Sequence, residues 1–210
     1  VHLQSGRWLR VGEEAMPLLQ ESDPACCPWG ALGVDVVLEC TGAYRAYADA
    51  SKHLAAGAGK VVVGAVPFDH ADAIVVYGIN HLDVQPQHRI ISAASCTTHC
   101  LGMLLSVLDE AYGVESAMMT EIHAYTSDQQ LLDHTHRDLR RARAGAQNLI
   151  PTTSSSIGAI QKVMPQLQGR VSGYSLRVPT LNVAMVDISL RLRELPAINA
   201  LHERLAHAAS

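Results

Sequence analysis

Short β-branched runs and one helical stretch alternate in the first half of the chain, after a loop-rich opening. Residues 34–38 and 60–66 are rich in valine, and residues 43–57 between them have a helical pattern that ends at a glycine. A strand, a helix and a strand within about 30 residues form a βαβ unit, which implies a parallel sheet covered by helices. Two further short strands are predicted over residues 73–77 and 90–94.

The pattern changes at position 96, just before which we place a domain boundary. Residues 97–112 form a predicted helix that ends at Gly113, with Ser95 as its N-cap and an apolar stripe made by Leu101, Leu104, Leu105 and Leu108. A strand over 117–123, a polar loop with arginines over 127–147 and a helix over 155–167 are expected next. Two strands over 171–178 and 182–192 and an amphipathic closing helix after 193 follow them.

Composition and charge exclude several classes of protein. The 210 residues are 48% hydrophobic and 17% charged, which fits a folded α/β chain, and the net charge of −4 gives no field for non-specific binding of nucleic acid or an anionic membrane. No apolar run approaches the roughly 20 residues needed to span a bilayer. Five cysteines with irregular spacing do not form a disulfide framework, so free thiols in a reducing compartment, the cytoplasm, are expected.

Three other motifs favour structural interpretations. Gly57-Ala58-Gly59 leads into a strand and has Val62 where a dinucleotide fingerprint needs its third glycine, so we interpret it as a helix end. Histidine pairs lack the second ligand pair of a closed metal site, so no metal is expected. The basic cluster within 137–143 has no interleaved aromatic residues and is predicted to be a solvated or subunit-facing loop.

Cys96 and His123 form the informative pair. A thiol at a helix N-terminus faces free backbone N–H groups and the positive end of the helix dipole, which stabilise a thiolate. A histidine at a neighbouring strand end can hold that thiolate and move a proton. A buried cysteine and a capped histidine are also common structural residues, and Cys100, one turn later, is predicted to be core.

Several segments, in order and spacing, resemble the phosphorylating glyceraldehyde-3-phosphate dehydrogenases. They are SCTTHC at 95–100, HAYT at 123–126, DLRRAR at 138–143, NLIPTT at 148–153 and RVPT at 177–180, with ECTG at 39–42 and YGINH at 77–81. The resemblance covers roughly residues 34–192. It implies a partial Rossmann-type parallel sheet followed by an α+β catalytic domain with a mixed or antiparallel sheet.

The resemblance also implies roles. Cys96 would form a thiohemiacetal with the aldehyde, and after hydride transfer to NAD or NADP inorganic phosphate would release an acyl phosphate. His123 would be the acid/base. The substrate's phosphate would be held by Thr126, Asp128 and Arg177, inorganic phosphate by Ser95, Thr97, Ser154 and Ser155, and the cofactor by Thr41 and Gly42.

The chain lacks the family's GxGxxG fingerprint, so residues 1–95 are expected to be a partial NAD-binding domain whose opening βαβ unit lies upstream. Residues 96–210 are expected to be a catalytic domain without the family's closing strands and final helix. This leaves a truncated, non-catalytic fragment as one alternative. Another is an erythrose-4-phosphate dehydrogenase, favoured by residues 128–130 and the DLRR run, whereas Thr126 favours glyceraldehyde 3-phosphate.

Assembly is expected to follow the family. The loop 127–147 resembles the S-shaped loop that lies at a subunit interface, which implies a homotetramer for the complete protein. Its arginines are expected to form ion pairs across subunits with Asp128, Asp133 and Asp138.

Overall fold

A computed structural model describes residues 2–4 and 8–209 of the chain, which contain three sheets. The first is a small antiparallel sheet in the order β1-β2-β3. Its strands are β1 (His2–Gln4), β2 (Trp8–Val11) and β3 (Glu14–Pro17), and a single 3-10 turn, Pro24–Cys26, follows them.

The second sheet is parallel, as the βαβ pattern predicts. Its order is β4-β5-β7-β6, and every neighbouring pair runs in the same direction. The strands are β4 (Val36–Glu39), β5 (Lys60–Val63), β6 (Ala73–Ile74) and β7 (Ile90–Ser92), and helix α1 (Tyr47–Ala55) connects β4 to β5.

Gly57 confirms the interpretation of its motif as a helix end. It lies two residues after α1 with φ +103°, a backbone conformation that favours glycine. A Cβ there would stand 2.6 Å from the backbone of Gly30, so the turn also needs the missing side chain for close packing.

The third sheet is mixed, in the order β11-β8-β10-β9. The two central strands β8 and β10 are parallel, and both outer strands run antiparallel to their neighbours. Its elements are α2 (Cys96–Tyr112), β8 (Val114–Ala124), β9 (Ile150–Thr152), α3 (Ser156–Val163), β10 (Val171–Val178), β11 (Ala184–Leu192) and α4 (Ile198–Ala208). These observations agree with the expected fold class.

Helix α2 packs against one face of the mixed sheet. Leu101, Leu105 and Leu108 are buried in a core with Met119 of β8 and Ile160 of α3, whereas the fourth residue of the apolar stripe is only partly buried. Ile74 and Val76, from before position 96, join this core, and a separate small core lies around α1 and β5. The proposed boundary before Cys96 stays a prediction.

Several element boundaries differ from the sequence prediction: the helix predicted over 43–57 spans Tyr47–Ala55, and the strand predicted over 73–77 spans Ala73–Ile74. The predicted helix 155–167 stops at Val163, because Pro165 cannot continue an α-helix, and a 3-10 turn follows it. Strand β9 was not predicted because it contains Pro151, which a sheet tolerates at its edge, where β9 lies. No helix in the described part of the chain is long and apolar enough to cross a membrane.

The loop 127–147 forms ion pairs within one chain, and the cross-subunit ion pairs stay a prediction. Arg143 pairs with Asp133 at 3.1 Å and Arg141 pairs with Asp128 and Asp138, so these charges are neutralised within one chain. Loop residues lie close enough in sequence to satisfy each other once the loop folds back on itself. The loop has no helix or strand between Ala124 and Ile150, as predicted.

Candidate active site

The turn between β7 and α2 delivers Cys96 to a cavity. Ser95 caps the helix, since its Oγ accepts a hydrogen bond from the Thr98 amide at 3.1 Å, as predicted. Ala94 is buried with φ +56°, a conformation that costs a non-glycine residue about 1–2 kcal/mol. The strained turn points the exposed Cys96 side chain into the cavity at the positive end of α2.

His123 comes from the penultimate position of β8. Its Nε2 lies 3.8 Å from the Cys96 Sγ, within the range for a sulfur contact. Strand β10 runs parallel to β8 and pairs Arg177 with His123 in register, so both side chains lie on the same face of the sheet. The sequence reasoning that joined Cys96 to His123 therefore corresponds to a real juxtaposition.

Two partners compete for the Nδ1 atom of His123. The Arg177 Nη1 lies 2.7 Å from it, and the Ala124 carbonyl oxygen also lies 2.7 Å from it. Arginine only donates and a carbonyl only accepts, so the two contacts are alternatives. When Arg177 donates to Nδ1, the ring proton is on Nε2 and faces the thiol.

All the predicted site residues line one cavity of about 760 Å³. These are Thr41, Gly42, Ser95, Cys96, Thr97, His123, Thr126, Asp128, Ser154, Ser155 and Arg177. The sequence did not identify four further charged residues that line it, namely Arg45, Glu121, Arg137 and Arg141. Arg137 and Arg141 belong to the basic cluster within 137–143, which the sequence predicts to be solvated or subunit-facing, whereas no local motif marks Arg45 or Glu121.

Arginine side chains make the cavity suitable for anions. Burial lowers the pKa of the Arg177 guanidinium, and the negative charges of Glu121 and Cys96 partly oppose that effect. Burial also lowers the pKa of Arg141, and the positive charge of Arg177 lowers it further. A phosphate between these two guanidinium groups would relieve both the desolvation and the repulsion.

Asp128 holds Arg141 in place. Its carboxylate forms a short ion pair with the Arg141 guanidinium, while His136 and Arg137 approach it at 3.7 Å. The Arg141 Nε also donates to the Thr152 hydroxyl at 2.7 Å. A carboxylate cannot itself donate to a phosphate, so Asp128 can contribute to anion binding through Arg141.

A cluster of hydroxyl groups lies on the other side of Cys96, where α2 and α3 begin. The Ser95 Oγ contacts the Ser156 Oγ at 3.0 Å and the Thr98 Oγ1 at 2.7 Å, so the Ser95 hydroxyl mainly joins the two helix starts. Ser155 precedes the first residue of α3 and its side chain makes no capping hydrogen bond. Its hydroxyl is therefore available to a ligand.

The Thr41–Gly42 turn rests on a buried hydrogen-bond chain. The Trp29 Nε1 donates to the His53 Nδ1 at 3.1 Å, which puts the ring proton on Nε2, and Nε2 donates to Glu39 at 3.1 Å. The same carboxylate accepts the amide and the hydroxyl of Thr41. Since Glu39 and His53 are both buried, this chain fixes the turn at the carboxyl end of β4.

The prediction that Cys100 belongs to the core is wrong. Cys100 is exposed, because it lies to the side of the buried leucines, roughly 100° around α2 from them. The other cysteines besides Cys96 are Cys26, Cys27 and Cys40. All five cysteines are free thiols. Exposure alone therefore does not single out Cys96, whereas its position beside His123 does.

The C-terminal domain model of glyceraldehyde 3-phosphate dehydrogenase matches residues 95–210, which is more than half of the chain. The chain belongs to the glyceraldehyde-3-phosphate dehydrogenase family. The resemblance carried by the sequence motifs is thereby confirmed. Most residues that line the cavity lie within the matched part of the chain. The lining residues that precede it are Thr41, Gly42, Arg45, Pro67 and Phe68.

Curated members of the family match nearly the whole chain. It is 46% identical over 203 residues to glyceraldehyde-3-phosphate dehydrogenase 1 of Streptomyces arenae, covering 96% of this chain and 61% of that protein. The plasmid-encoded enzyme of Cupriavidus necator is 46% identical over 184 residues, covering 88% and 55%. The Pseudomonas aeruginosa enzyme is 43% identical over 200 residues, covering 95% and 60%. The chain thus spans about three-fifths of the length of these relatives.

The residues present fit the nicotinamide end of a dinucleotide cofactor. The Thr41–Gly42 turn follows a parallel strand at its carboxyl end, where open α/β sheets bind dinucleotides. Gly42 has φ +76° and open space where a Cβ would be, so the backbone is accessible to a flat ring. The same cavity contains Cys96, which puts turn and thiol within reach of one ligand.

Proposed function

We propose that this chain is the catalytic part of a phosphorylating glyceraldehyde-3-phosphate dehydrogenase, an oxidoreductase that uses NAD or NADP. The observation that carries the proposal is the 3.8 Å contact between the Cys96 Sγ and the His123 Nε2 inside an arginine-lined cavity. The thiol supplies a nucleophile, the imidazole supplies a proton carrier, and the arginines supply phosphate affinity.

In the first half-reaction the Cys96 thiol gives its proton to the His123 Nε2, which is free to accept it when Nδ1–H donates to the Ala124 carbonyl, and the Sγ attacks the aldehyde carbon. A carbon–sulfur bond forms, the carbonyl electron pair moves to oxygen, and the His123 Nε2 gives that oxygen its proton. A nicotinamide bound beside Thr41 and Gly42 supplies the hydride acceptor. When the carbonyl forms again, His123 takes the proton back and Cys96 carries a thioester.

In the second half-reaction an oxygen of inorganic phosphate attacks the thioester carbon. The carbon–sulfur bond breaks with its electron pair on Sγ, and the product leaves as an acyl phosphate. Thr97, Ser154 and Ser155 lie beside Cys96 at the starts of α2 and α3. The two serines would bind this phosphate with hydroxyl and backbone donors, and Thr97 would contribute its backbone N–H, since its hydroxyl donates to Glu121. Ser95 would support the same site by joining the two helix starts.

The substrate's own phosphate would lie on the arginine side of the cavity. Arg177 would bind it directly, and Asp128 would act by holding Arg141. The Thr126 hydroxyl would bind it by exchanging its 3.2 Å hydrogen bond to the Gln129 Oε1 for one to the phosphate. The hydroxyl of Thr126, two residues beyond the end of β8, favours a phosphate close to His123. We therefore propose glyceraldehyde 3-phosphate rather than erythrose 4-phosphate as the substrate, a choice that the ratio of kcat/KM values tests.

For the complete protein we propose a cytoplasmic homotetramer. The cytoplasm suits five free thiols, one of them reactive. Association is supported by the outer face of the mixed sheet, where Met118, Tyr174 and Met185 are exposed on the side opposite to His123. The loop adds more exposed apolar side chains, those of Leu131, Leu132, Leu139 and Leu149.

The experiment combines purified protein, glyceraldehyde 3-phosphate, inorganic phosphate and NAD or NADP. We expect the rate at which reduced cofactor forms to rise with the phosphate concentration, and we expect Cys96→Ser to abolish this formation. Thermal shift with NAD and NADP, measured on the same protein, tests the non-catalytic alternative. If the protein binds neither cofactor and shows no turnover, the non-catalytic alternative is favoured over a dehydrogenase.

A further inference from the structure

A buried carboxylate stands beside the reactive thiol and has no part in the reaction so far. Glu121 lies on β8 two residues before His123, on the same face of the sheet, and is only 4% exposed. It lines the same cavity as Cys96. Its Oε1 accepts a hydrogen bond from the Thr97 hydroxyl at 2.6 Å, and the Thr97 Oγ1 is 3.9 Å from the Cys96 Sγ.

The hydrogen bond to Glu121 changes what Thr97 can offer a ligand. A hydroxyl has one proton, and here that proton is directed at the carboxylate. The remaining lone pairs of the Thr97 Oγ1 can only accept. A threonine held in this way gives no donor to the charged oxygens of phosphate, which only accept, and it can interact only with a P–O–H group.

The charge of Glu121 is compensated only at a distance. Among the described residues no basic side chain forms an ion pair with Glu121 within 4.0 Å. Arg177 is the cation that interacts with it electrostatically, and Arg177 also faces His123 and the thiol. The inorganic phosphate side of the cavity therefore contains a fixed negative charge next to one of its hydroxyl groups.

We propose that Glu121 determines which nucleophile releases the acyl group from Cys96. Its carboxylate repels the phosphate anion and accepts the hydrogen bond that the Thr97 hydroxyl could otherwise donate to phosphate. An uncharged nucleophile is not repelled and does not need that donor. The inference rests on the proposed function, because it concerns the thioester of that reaction. In either release step the nucleophile bonds to the acyl carbon and the carbon–sulfur bond breaks with its electrons on Sγ, which takes up the proton that an uncharged nucleophile loses.

The variant Glu121→Gln tests this directly. The amide oxygen can still accept the Thr97 hydrogen bond, so the packing stays while the negative charge is removed. Two like charges about 10 Å apart at an effective dielectric constant of about 20 change an affinity by about tenfold. We expect the KM for inorganic phosphate to fall by about that factor. The half-saturating concentration of hydroxylamine, an uncharged nucleophile that captures the thioester, should change less than about twofold.

A second readout needs no cofactor. Phosphate bound beside Cys96 should slow its alkylation by iodoacetamide, and the half-protecting phosphate concentration should also fall about tenfold in Glu121→Gln. The matched control is Glu115→Gln, an exposed glutamate on the same strand that pairs with Arg191. It loses the same charge and should change neither value.

The outcomes separate the two proposals. Wild-type protein that makes no acyl phosphate would overturn the proposed function. An active wild type with equal phosphate constants in Glu121→Gln would overturn only the role of Glu121, as would equal shifts for phosphate and hydroxylamine. Glu121→Ala, which also frees the Thr97 hydroxyl, gives the same test if the glutamine variant fails to fold.

Discussion

Arg177 offers the sharpest test of the anion site, because the structure gives it two separate contacts. Its Nη1 lies 2.7 Å from the His123 Nδ1 and 3.1 Å from the Ala124 carbonyl oxygen, while its Nε has no hydrogen-bond partner among the described residues. The Nε is buried, but the Arg177 side chain lines the cavity, where its terminal N–H groups are donors for an anion. We expect Arg177→Leu to weaken binding of the phosphorylated aldehyde strongly.

The magnitude follows from one lost charge-assisted contact. Such a hydrogen bond contributes about 1.5–3 kcal/mol, which corresponds to a rise of about 10- to 150-fold in the KM for glyceraldehyde 3-phosphate. The assay compares this substrate with unphosphorylated glyceraldehyde, which lacks the phosphate. The loss should be confined to the phosphorylated substrate, and Arg191→Leu, at the far end of the mixed sheet, should leave both constants unchanged.

A different result would assign Arg177 to His123 instead. If kcat/KM falls equally for both aldehydes, the guanidinium acts on the imidazole and not on the substrate's phosphate. Arg177→Lys separates the two roles further, because lysine keeps the charge but loses the planar fork. The phosphate role predicts partial rescue of KM by lysine, and the absence of any effect on the phosphorylated substrate would refute the assigned site.

Three further predictions follow from the described geometry. Iodoacetamide should modify Cys96 first, as peptide mapping of partly labelled protein would show. The exposed thiols of Cys26, Cys40 and Cys100 should react later, and so should Cys27, because burial raises its pKa. Asp128→Asn should raise the KM for the phosphorylated aldehyde about tenfold by releasing Arg141, and an unchanged KM would remove Asp128 from the site. Gly57→Ala should lower the free energy of unfolding by about 1–3 kcal/mol in urea titration, since its Cβ meets Gly30, and full stability would contradict the packing.

The sequence predicted the elements that depend on local pattern. The Ser95 cap, the leucines of α2 and the bounds of β10 all follow from side-chain periodicity and turn chemistry. Cys96 and His123 were paired by their chemistry, a thiol at a helix start and a histidine at a strand end, and their side chains lie 3.8 Å apart.

Interactions between distant segments were not predictable in the same way. Glu121 looks like an ordinary polar position in a strand, and only the fold of β8 against α2 shows that it contacts Thr97. Arg141 was one of several loop arginines, and its selection depends on ion pairs that form when the loop folds back. Strand β9 was missed because its pairing with β10, not its own sequence, makes it a strand.

The most direct test of the central claim is acylation of the protein by an acyl phosphate in the absence of cofactor. Acetyl phosphate reverses the second half-reaction: the Cys96 thiolate bonds to the acyl carbon and phosphate leaves. Peptide mass spectrometry should find one acetyl group per chain, on the peptide that contains Cys96, with a slower rate in His123→Asn. Equal acetylation of Cys26, Cys40, Cys96 and Cys100, or no acetylation of Cys96, would contradict the account.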